Sequence, residues 1–545
     1  MTKVLFYGVL LTFCAFGTGA TGQSLNASGQ GLSASGQGIT VSGPHPDAPG
    51  PGSSAQPLSE TQIDSIAQRA LSLFQVPGLA IGIVKDGKLI YSKGFGVRSL
   101  KTGQPVTPTT LFGIASNTKA FTAAALGLLV DEGKLNWDDK VSKYIPEFQM
   151  YEPYATREMT VLDLLCHRSG LATGAGDLMH DPDSTDFTVN DIIHNLRYIK
   201  PAYSFRSTFA YDNNLYLVAG EVIARVSGMR WEDFVEQHLL QPLQMSSSSA
   251  SYEGSRLSAN IIDPHNKIGD SMRVVTRYTS TKDDAAGGIY SNVVDLAKWV
   301  SMLLNEGKPI LSAQTMHQLW SPQTIVPVRK EGIDHIHFAA YGLGWFIVDI
   351  RGYRQIIHTG QDVGMVSEIS LIPELGLGII VLTNNESNAI DAISGQITDA
   401  YLGIKGTDRT RDALTRLENG EKMGAENKAK AWAMVRQTEA ATLADIRADT
   451  GTYRSVWFGE AVVTLRGNHL YFAAKRSPQL RGVLYASGKD TFAIRWENPE
   501  IDADTFVRFG ESGGKRCITM APMVAGNGFD FSGLIFERQR AGRRR

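Results

Sequence analysis

Cysteine is scarce in this chain. There are three in 545 residues, and Cys14 lies in an apolar N-terminal run. Cys166 and Cys517 alone cannot staple a protein of this size, so a disulfide framework is excluded and two free buried thiols are expected. An excess of one charge sign is also missing. Lys and Arg number 53 against 55 Asp and Glu, a formal net charge of −2. With the signs interspersed there is no electrostatic footprint for nucleic acid, and Arg543-Arg544-Arg545 is too brief to supply one. Beyond the N-terminus no apolar stretch reaches the roughly 20 residues that span a bilayer, so no membrane anchor is expected. Walker and dinucleotide fingerprints are lacking. No His-Glu-x-x-His helix marks a metal site. Asp334, His335 and His337 read as a solvated strand or loop. Neither a metal nor a cofactor is expected.

What is present divides the chain into five stretches. Lys3, the apolar run over 4–16 and the small residues over 17–22 read as a cleaved secretory signal at 1–22. That implies a periplasmic or secreted protein. Residues 23–56 repeat Leu-x-Ala-Ser-Gly-Gln-Gly and are rich in Gly, Ser, Pro and Gln. Such a composition buries too little to offset the entropy of ordering, so a disordered leader is expected. Residues 57–404 begin with a helix at 61–74 and strands at 79–84 and 88–95. A long helix over 116–132 follows, then a helical middle with clear helices at 212–226 and 293–304. Strands return at 343–349, 354–358, 366–372 and 377–383, and a helix over 390–402 closes the region. Early and late strands around a helical middle predict an α+β domain, with one antiparallel sheet built from both ends of the segment. A charged helical linker is expected over 405–446. Short strands at 461–466, 469–474, 492–496, 505–509 and 517–520 predict a small all-β, barrel-like domain over 447–540.

Three short motifs carry chemistry. In Phe112-Gly-Ile-Ala-Ser-Asn-Thr-Lys119, Ser116 and Lys119 are three apart at a helix start, which puts both side chains on one face. A serine needs a base to become a nucleophile, and a lysine serves only when its ammonium is destabilised. The plain alternative is a helix cap followed by a surface lysine. Tyr211-Asp212-Asn213 opens the helix at 212–226. A phenol relays protons and a carboxamide both donates and accepts; the alternative is a cap with a hydrophobic staple. His358-Thr359-Gly360-Gln361 ends a strand. A threonine hydroxyl can hold a substrate and a glycine admits close backbone approach, although an ordinary strand end reads the same way.

In this order the motifs resemble the class C β-lactamase and D-alanyl-D-alanine carboxypeptidase group. Leu162-Asp-Leu-Leu-Cys-His-Arg-Ser-Gly-Leu171, Ala286-Gly-Gly-Ile-Tyr-Ser291 and Val381-Leu-Thr-Asn-Asn385 add to the likeness, which covers about residues 60–402. The resemblance implies a β-lactamase/transpeptidase-like fold: an antiparallel sheet flanked by helices, a helical subdomain, and an appended all-β domain. It implies an acyl-enzyme at Ser116, with Lys119 accepting its proton or tuning the site and Tyr211 acting as base in acylation and then as acid toward the leaving group. Asn213, His358, Thr359 and Gly360 would bind substrate, and the backbone amides of Ser116 and Gln361 would form the oxyanion hole. His358 stands where β-lactamases of this group carry lysine, which puts penicillin hydrolysis in doubt. The expected partner is a peptide substrate with D-Ala or another D-residue on its acyl side, as in linearised microcystin. A carboxylesterase, a β-lactam binder and a non-catalytic scaffold are the alternatives. The C-terminal domain is a candidate oligomer contact.

Overall fold

The computed structural model describes residues 58–328, 334, 336–439, 446–501, 504–523, 530–531 and 533–540. The expected signal and leader, His335 and the terminal arginines lie outside these. Helix α1 (Glu60–Leu73) starts at a capping box: the Ser59 hydroxyl accepts from the Gln62 amide, and the Gln62 side chain accepts from the Ser59 amide at 2.9 Å. It buries Ile63, Ala67 and Ala70. Strands β1 (Gly78–Lys85) and β2 (Lys88–Gly96) form a hairpin about Asp86 and Gly87, whose φ values of 50° and 73° suit its two-residue turn.

The other sheet strands come late: β3 (Thr324–Val326), β4 (Ala339–Tyr341), β5 (Phe346–Ile350), β6 (Tyr353–Asp362), β7 (Met365–Ile372) and β8 (Leu377–Thr383). They build one sheet in the order β2-β1-β8-β7-β6-β5-β4-β3, with every pairing antiparallel. The join is β1 to β8, from Leu79 opposite Thr383 to Lys85 opposite Leu377. Both ends of the segment therefore build the sheet, as the sequence predicts.

The period-2 alternation of β1 feeds two layers. Leu79, Ile81 and Ile83 pack with Ile379, Val381 and the helices α1 and α5 (Ala389–Tyr401). Ala80 and Val84 face the opposite layer, which holds α2 (Thr118–Asp131) and α4 (Val293–Leu304) with Phe121, Trp299 and Val300. Each fully buried aliphatic side chain stabilises by about 1.5–3 kcal/mol. Gly378 lets α4 lie close to the sheet, since a Cβ there would sit 2.2 Å from Val300 Cγ1.

The boundary errors have local causes. The strand predicted from 343 starts at Phe346, because Gly344 at φ 79° and the Gly342 N–H···O=C Trp345 bond of 2.8 Å make a turn. The helix predicted from 116 starts at Thr118, preceded by a 3₁₀ turn at Ala115–Asn117. The helix predicted from 212 is α3 (Asn214–Ser227).

After α5 comes a long helix, α6 (Arg409–Glu439). At its start Arg409 grips Asp399 at 2.6 and 2.7 Å. Farther on, Trp432 Nε1 donates to Asp504 at 2.9 Å. Eight strands then close into a barrel: β9 (Gly451–Ser455), β10 (Gly459–Arg466), β11 (His469–Ala474), β12 (Arg481–Ala486), β13 (Thr491–Trp496), β14 (Thr505–Ser512), β15 (Lys515–Pro522) and β16 (Ile535–Arg538). Pairing of β9 with β16 closes the ring and removes exposed edges. The barrel packs against the segment 183–195 of the first domain, which ends in the helix Val189–Asn195. Arg476 binds Asp186 at 2.5 Å and Asp191 at 3.0 Å, and lies 3.8 Å over the Phe187 ring. Gln479 Nε2 donates to the Asp183 carbonyl at 2.9 Å, and Asn195 Nδ2 to the Trp457 carbonyl at 2.8 Å. Cys166 and Cys517 are buried thiols. Among the described residues no helix is long and apolar enough to cross a membrane.

Candidate active site

The 3₁₀ turn before α2 opens on a strained residue. Ala115 sits at φ 46°, in the left-handed region that costs a non-glycine residue about 1–2 kcal/mol. It presents Ser116 at the base of a helix, half-buried. Strand β7 clamps this turn. Ser367 Oγ donates to the Ile114 carbonyl at 2.6 Å and accepts from Asn117 Nδ2 at 2.8 Å. Neither Ser367 nor Asn117 carries a sequence signal for this task.

One turn on, Lys119 is fully buried. Its Nζ reaches three acceptors: Ser116 Oγ at 3.0 Å, Asn213 Oδ1 at 2.8 Å and the Ala286 carbonyl at 3.0 Å. It also lies 4.9 Å from the Tyr211 ring centroid and 5.3 Å from that of Tyr216. Burial pulls Lys119 down to about 7, against the opposing charges of Asp177, Asp283 and Asp212. A neutral amine beside a serine hydroxyl is a competent base. The sign follows. Lys119 is neutral above about pH 7 and protonated below it, so acylation of Ser116 is expected to fall about tenfold per pH step on the acid side. Pre-steady-state rates with an aryl ester across the pH range check this; a flat profile through neutrality would refute a lysine base.

Tyr211 and Asn213 arrive on the segment entering α3. The Asp212 amide donates to His167 Nδ1 at 3.1 Å, and the His167 ring lies 4.1 Å from that of Tyr211. The Gly174 amide donates to the Tyr211 carbonyl at 2.9 Å. The capping alternative is realised by the neighbour: Asp212 Oδ1 accepts from the Asn214 amide at 2.9 Å, and Asn213 makes no side-chain cap. That leaves the Asn213 carboxamide for Lys119 and, through Nδ2, for Asp177 at 2.9 Å.

The third motif lies on β6. Pairing with β5 ends at Ile357 opposite Phe346, and the strand then runs beside the nucleophile turn. A Cβ on Gly360 would fall 2.0 Å from the Ile114 carbonyl oxygen and 2.9 Å from the Ser116 amide nitrogen. Glycine is the residue that permits this approach, and it brings the Gln361 backbone alongside that of Ser116. Thr359 is half-buried, and the Gln361 side chain is held by Glu386 at 2.9 Å.

His358, expected among the substrate-binding residues, has a side chain that is 1% exposed. Nδ1 bonds the Thr359 carbonyl at 2.6 Å and Nε2 meets the Tyr341 hydroxyl at 3.0 Å. Burial, with the Lys119 charge, lowers it to about 3. It is a neutral support for Tyr341 and the strand.

The weighed metal candidates are engaged elsewhere. Asp334 pairs with Arg409 at 2.6 Å, and His337 with Asp349 at 2.9 Å. Among the described residues no group of three or more His, Cys, Asp or Glu side chains is placed to hold a metal. Sequence reasoning missed Asp177, His180 and Asp283 beside the site, and Tyr341 behind it.

Comparison with known proteins fits this geometry. The family described as Beta-lactamase matches residues 63–399, and a domain of unknown function (DUF3471) matches 437–536. A protein of Aspergillus campestris named unguisins hydrolase is 30% identical over 339 residues, 61% of this chain and 62% of its own length. The chain thus spans less than two thirds of that relative. The Staphylococcus aureus protein named Flp is 29% identical, over 64% of this chain and 67% of its own. The solved structure of an octameric penicillin-binding protein homologue from Pyrococcus abyssi superposes with a TM-score of 0.58 at 24% identity. It covers 85% of this chain and 98% of its own.

Proposed function

The chain belongs to the beta-lactamase family, as a serine hydrolase of the penicillin-recognising type, and we propose that it is an exported peptidase cleaving after D-Ala or another D-residue. The observation that carries the peptide reading is His358. Where β-lactamases of the resembling group place a lysine for a carboxylate, this chain has a buried, neutral ring bonded on both nitrogens. A scissile bond inside a longer peptide has no carboxylate beside it and needs no such cation. The Thr359 hydroxyl and the backbone of β6 suit an amide. The relative's name, unguisins hydrolase, supports a hydrolytic reading, and linearised microcystin, which contains D-Ala, is the substrate we would try after simple peptides.

In this reading Ser116 Oγ attacks the carbonyl carbon as its proton passes to Lys119 Nζ. The oxyanion is held by the backbone amides of Ser116 and Gln361. Tyr211 delivers a proton to the leaving amine, and the C–N bond breaks to give an ester on Ser116. Water then attacks the ester, gives its proton to the same groups, and Ser116 recovers its own. The test uses two linear peptides that differ only in L- or D-Ala before the scissile bond. Wild-type protein is expected to cleave the D-Ala peptide alone, and Ser116→Ala neither, as read by mass spectrometry. Rapid turnover of an aryl ester with both peptides intact would replace the peptidase by an esterase.

A further inference from the structure

The Asn213 carboxamide has two partners of opposite demand. Its oxygen faces the Lys119 amine at 2.8 Å, and its nitrogen faces Asp177 Oδ2 at 2.9 Å. Turned over, it would point N–H groups at a donor and an oxygen at a carboxylate. Asp177 therefore decides which end of the amide meets Lys119. Its second oxygen meets His180 Nε2 at 3.2 Å and Asn214 Nδ2 at 3.3 Å. His180 is buried, with Asp283 Oδ2 3.8 Å from its other nitrogen.

We propose that Asp177 and His180 are positioning residues, a charged pair that locks the Asn213 amide toward Lys119 and sets the field in which Lys119 gives and takes its proton. The proposal rests on the reading of Ser116 and Lys119 as nucleophile and base, and is independent of which bond is cleaved.

The charges around the pair agree. Burial lowers His180, but the Asp177 hydrogen bond and the charges of Asp177, Asp283 and Asp181 outweigh it and raise His180 to about 9. It is thus an imidazolium at neutral pH. Asp177 is the foremost charge opposing the fall of Lys119, ahead of Asp283 and Asp212. Burial raises both of these aspartates, Asp212 to about 8, so they hold less charge. Other titratable neighbours are Tyr211 and Tyr216, whose rings flank Nζ, His167 and His358, both lowered by burial and by the Lys119 charge, and Tyr278, raised by burial, whose hydroxyl donates to the His180 carbonyl at 2.9 Å. From outside, the loop that carries Asp177 and His180 is pinned by Arg476 and Gln479 of the barrel.

Two neutral replacements then act in opposite directions. Asp177→Asn keeps an oxygen for Asn213 but removes the negative charge, so Lys119 loses its proton more easily. The acid limb of Ser116 reactivity is expected to move down by about one on the pH scale with the plateau nearly kept. His180→Gln keeps a donor for Asp177 but removes the positive charge, and the limb is expected to move up. Asp177→Ala removes the lock as well, and its plateau is expected to fall about tenfold.

The readout is the rate at which a fluorophosphonate labels Ser116, followed by intact mass from pH 5 to 9 (a range chosen to bracket about 7), with thermal melts to show that each variant is folded. Labelling does not require peptide cleavage. Failure of the peptidase reading would therefore appear as intact peptides with labelling unaffected. Limbs that stay put, or move the same way, in Asp177→Asn and His180→Gln would overturn the proposal, because a merely structural role predicts no opposite displacement.

Discussion

Lys119→Met is expected to lower acylation of Ser116 by about 10³–10⁴-fold while leaving a protein that melts no lower than wild type. Methionine fills most of the same volume but accepts no proton, so the general-base contribution is lost outright. The stability side follows from burial. Lys119 falls from an ordinary 10.5 to about 7 in the folded chain. The unfolded chain therefore binds more protons than the folded one between these values. Linkage makes that a destabilisation of roughly 5 kcal/mol at neutral pH, which shrinks as pH rises toward 10.5. Removing the amine removes this cost. Against it, Asn213 Oδ1 and the Ala286 carbonyl lose a donor, at about 1–3 kcal/mol each. The two sides are of similar size, so no net loss of stability is expected. Stopped-flow acylation with an aryl ester and calorimetric melts check both halves. A large drop in melting temperature would mean that Lys119 is a structural keystone.

Gly360→Ala is expected to cost about 10²–10³-fold in kcat/KM through a single methyl group. The new Cβ would lie 2.0 Å from the Ile114 carbonyl oxygen and 2.9 Å from the Ser116 amide nitrogen. Both are backbone atoms, so neither can swing aside. Strand and turn must part by about an ångström, and displacements of that size at an oxyanion site carry losses of this order. Overpacking adds roughly 1–3 kcal/mol of destabilisation. Gly510→Ala in the barrel is the control, since the nearest atom to its added Cβ is Cys517 Sγ at 3.9 Å. Unchanged kcat/KM in Gly360→Ala would disprove the close approach of β6 to the nucleophile.

The site was legible in the sequence to the extent that it is local. Ser116 and Lys119 share a helical turn, so their spacing alone puts them together. Tyr211, Asn213 and Gly360 carry no periodicity that points to Ser116; only the order of motifs in a resembling family joins them. Asp177 opens a single 3₁₀ turn, Asp177–Met179, with His180 just after it, and both sit beside the site where Gly174 bonds the Tyr211 backbone and the barrel pins the outer turn. No spacing rule encodes such a convergence. His358 shows a related limit. A residue's place in a motif does not say which face of the strand it occupies, and here the ring turns inward to Tyr341.

The fold shows the same division. The stretch 377–383 is a run of apolar residues bounded by glycine and asparagine, and it was delimited as found. The barrel strands Gly451–Ser455, Arg481–Ala486 and Ile535–Arg538 escaped notice. They are short, charged or glycine-containing, and they are strands because a closing ring supplies partners on both sides.

The junction of β1 with β8 also governs how the chain must be made. Leu79 finds its partner Thr383 about 300 residues later. At translation rates of roughly 5–20 residues per second, the first hairpin waits on the order of 15–60 s for the strand that completes its sheet. Throughout that interval Leu79, Ile81 and Ile83 have nothing to cover them but α1. A nascent chain in this condition keeps apolar surface uncovered, and its exposure to aggregation ends only when the late strand arrives.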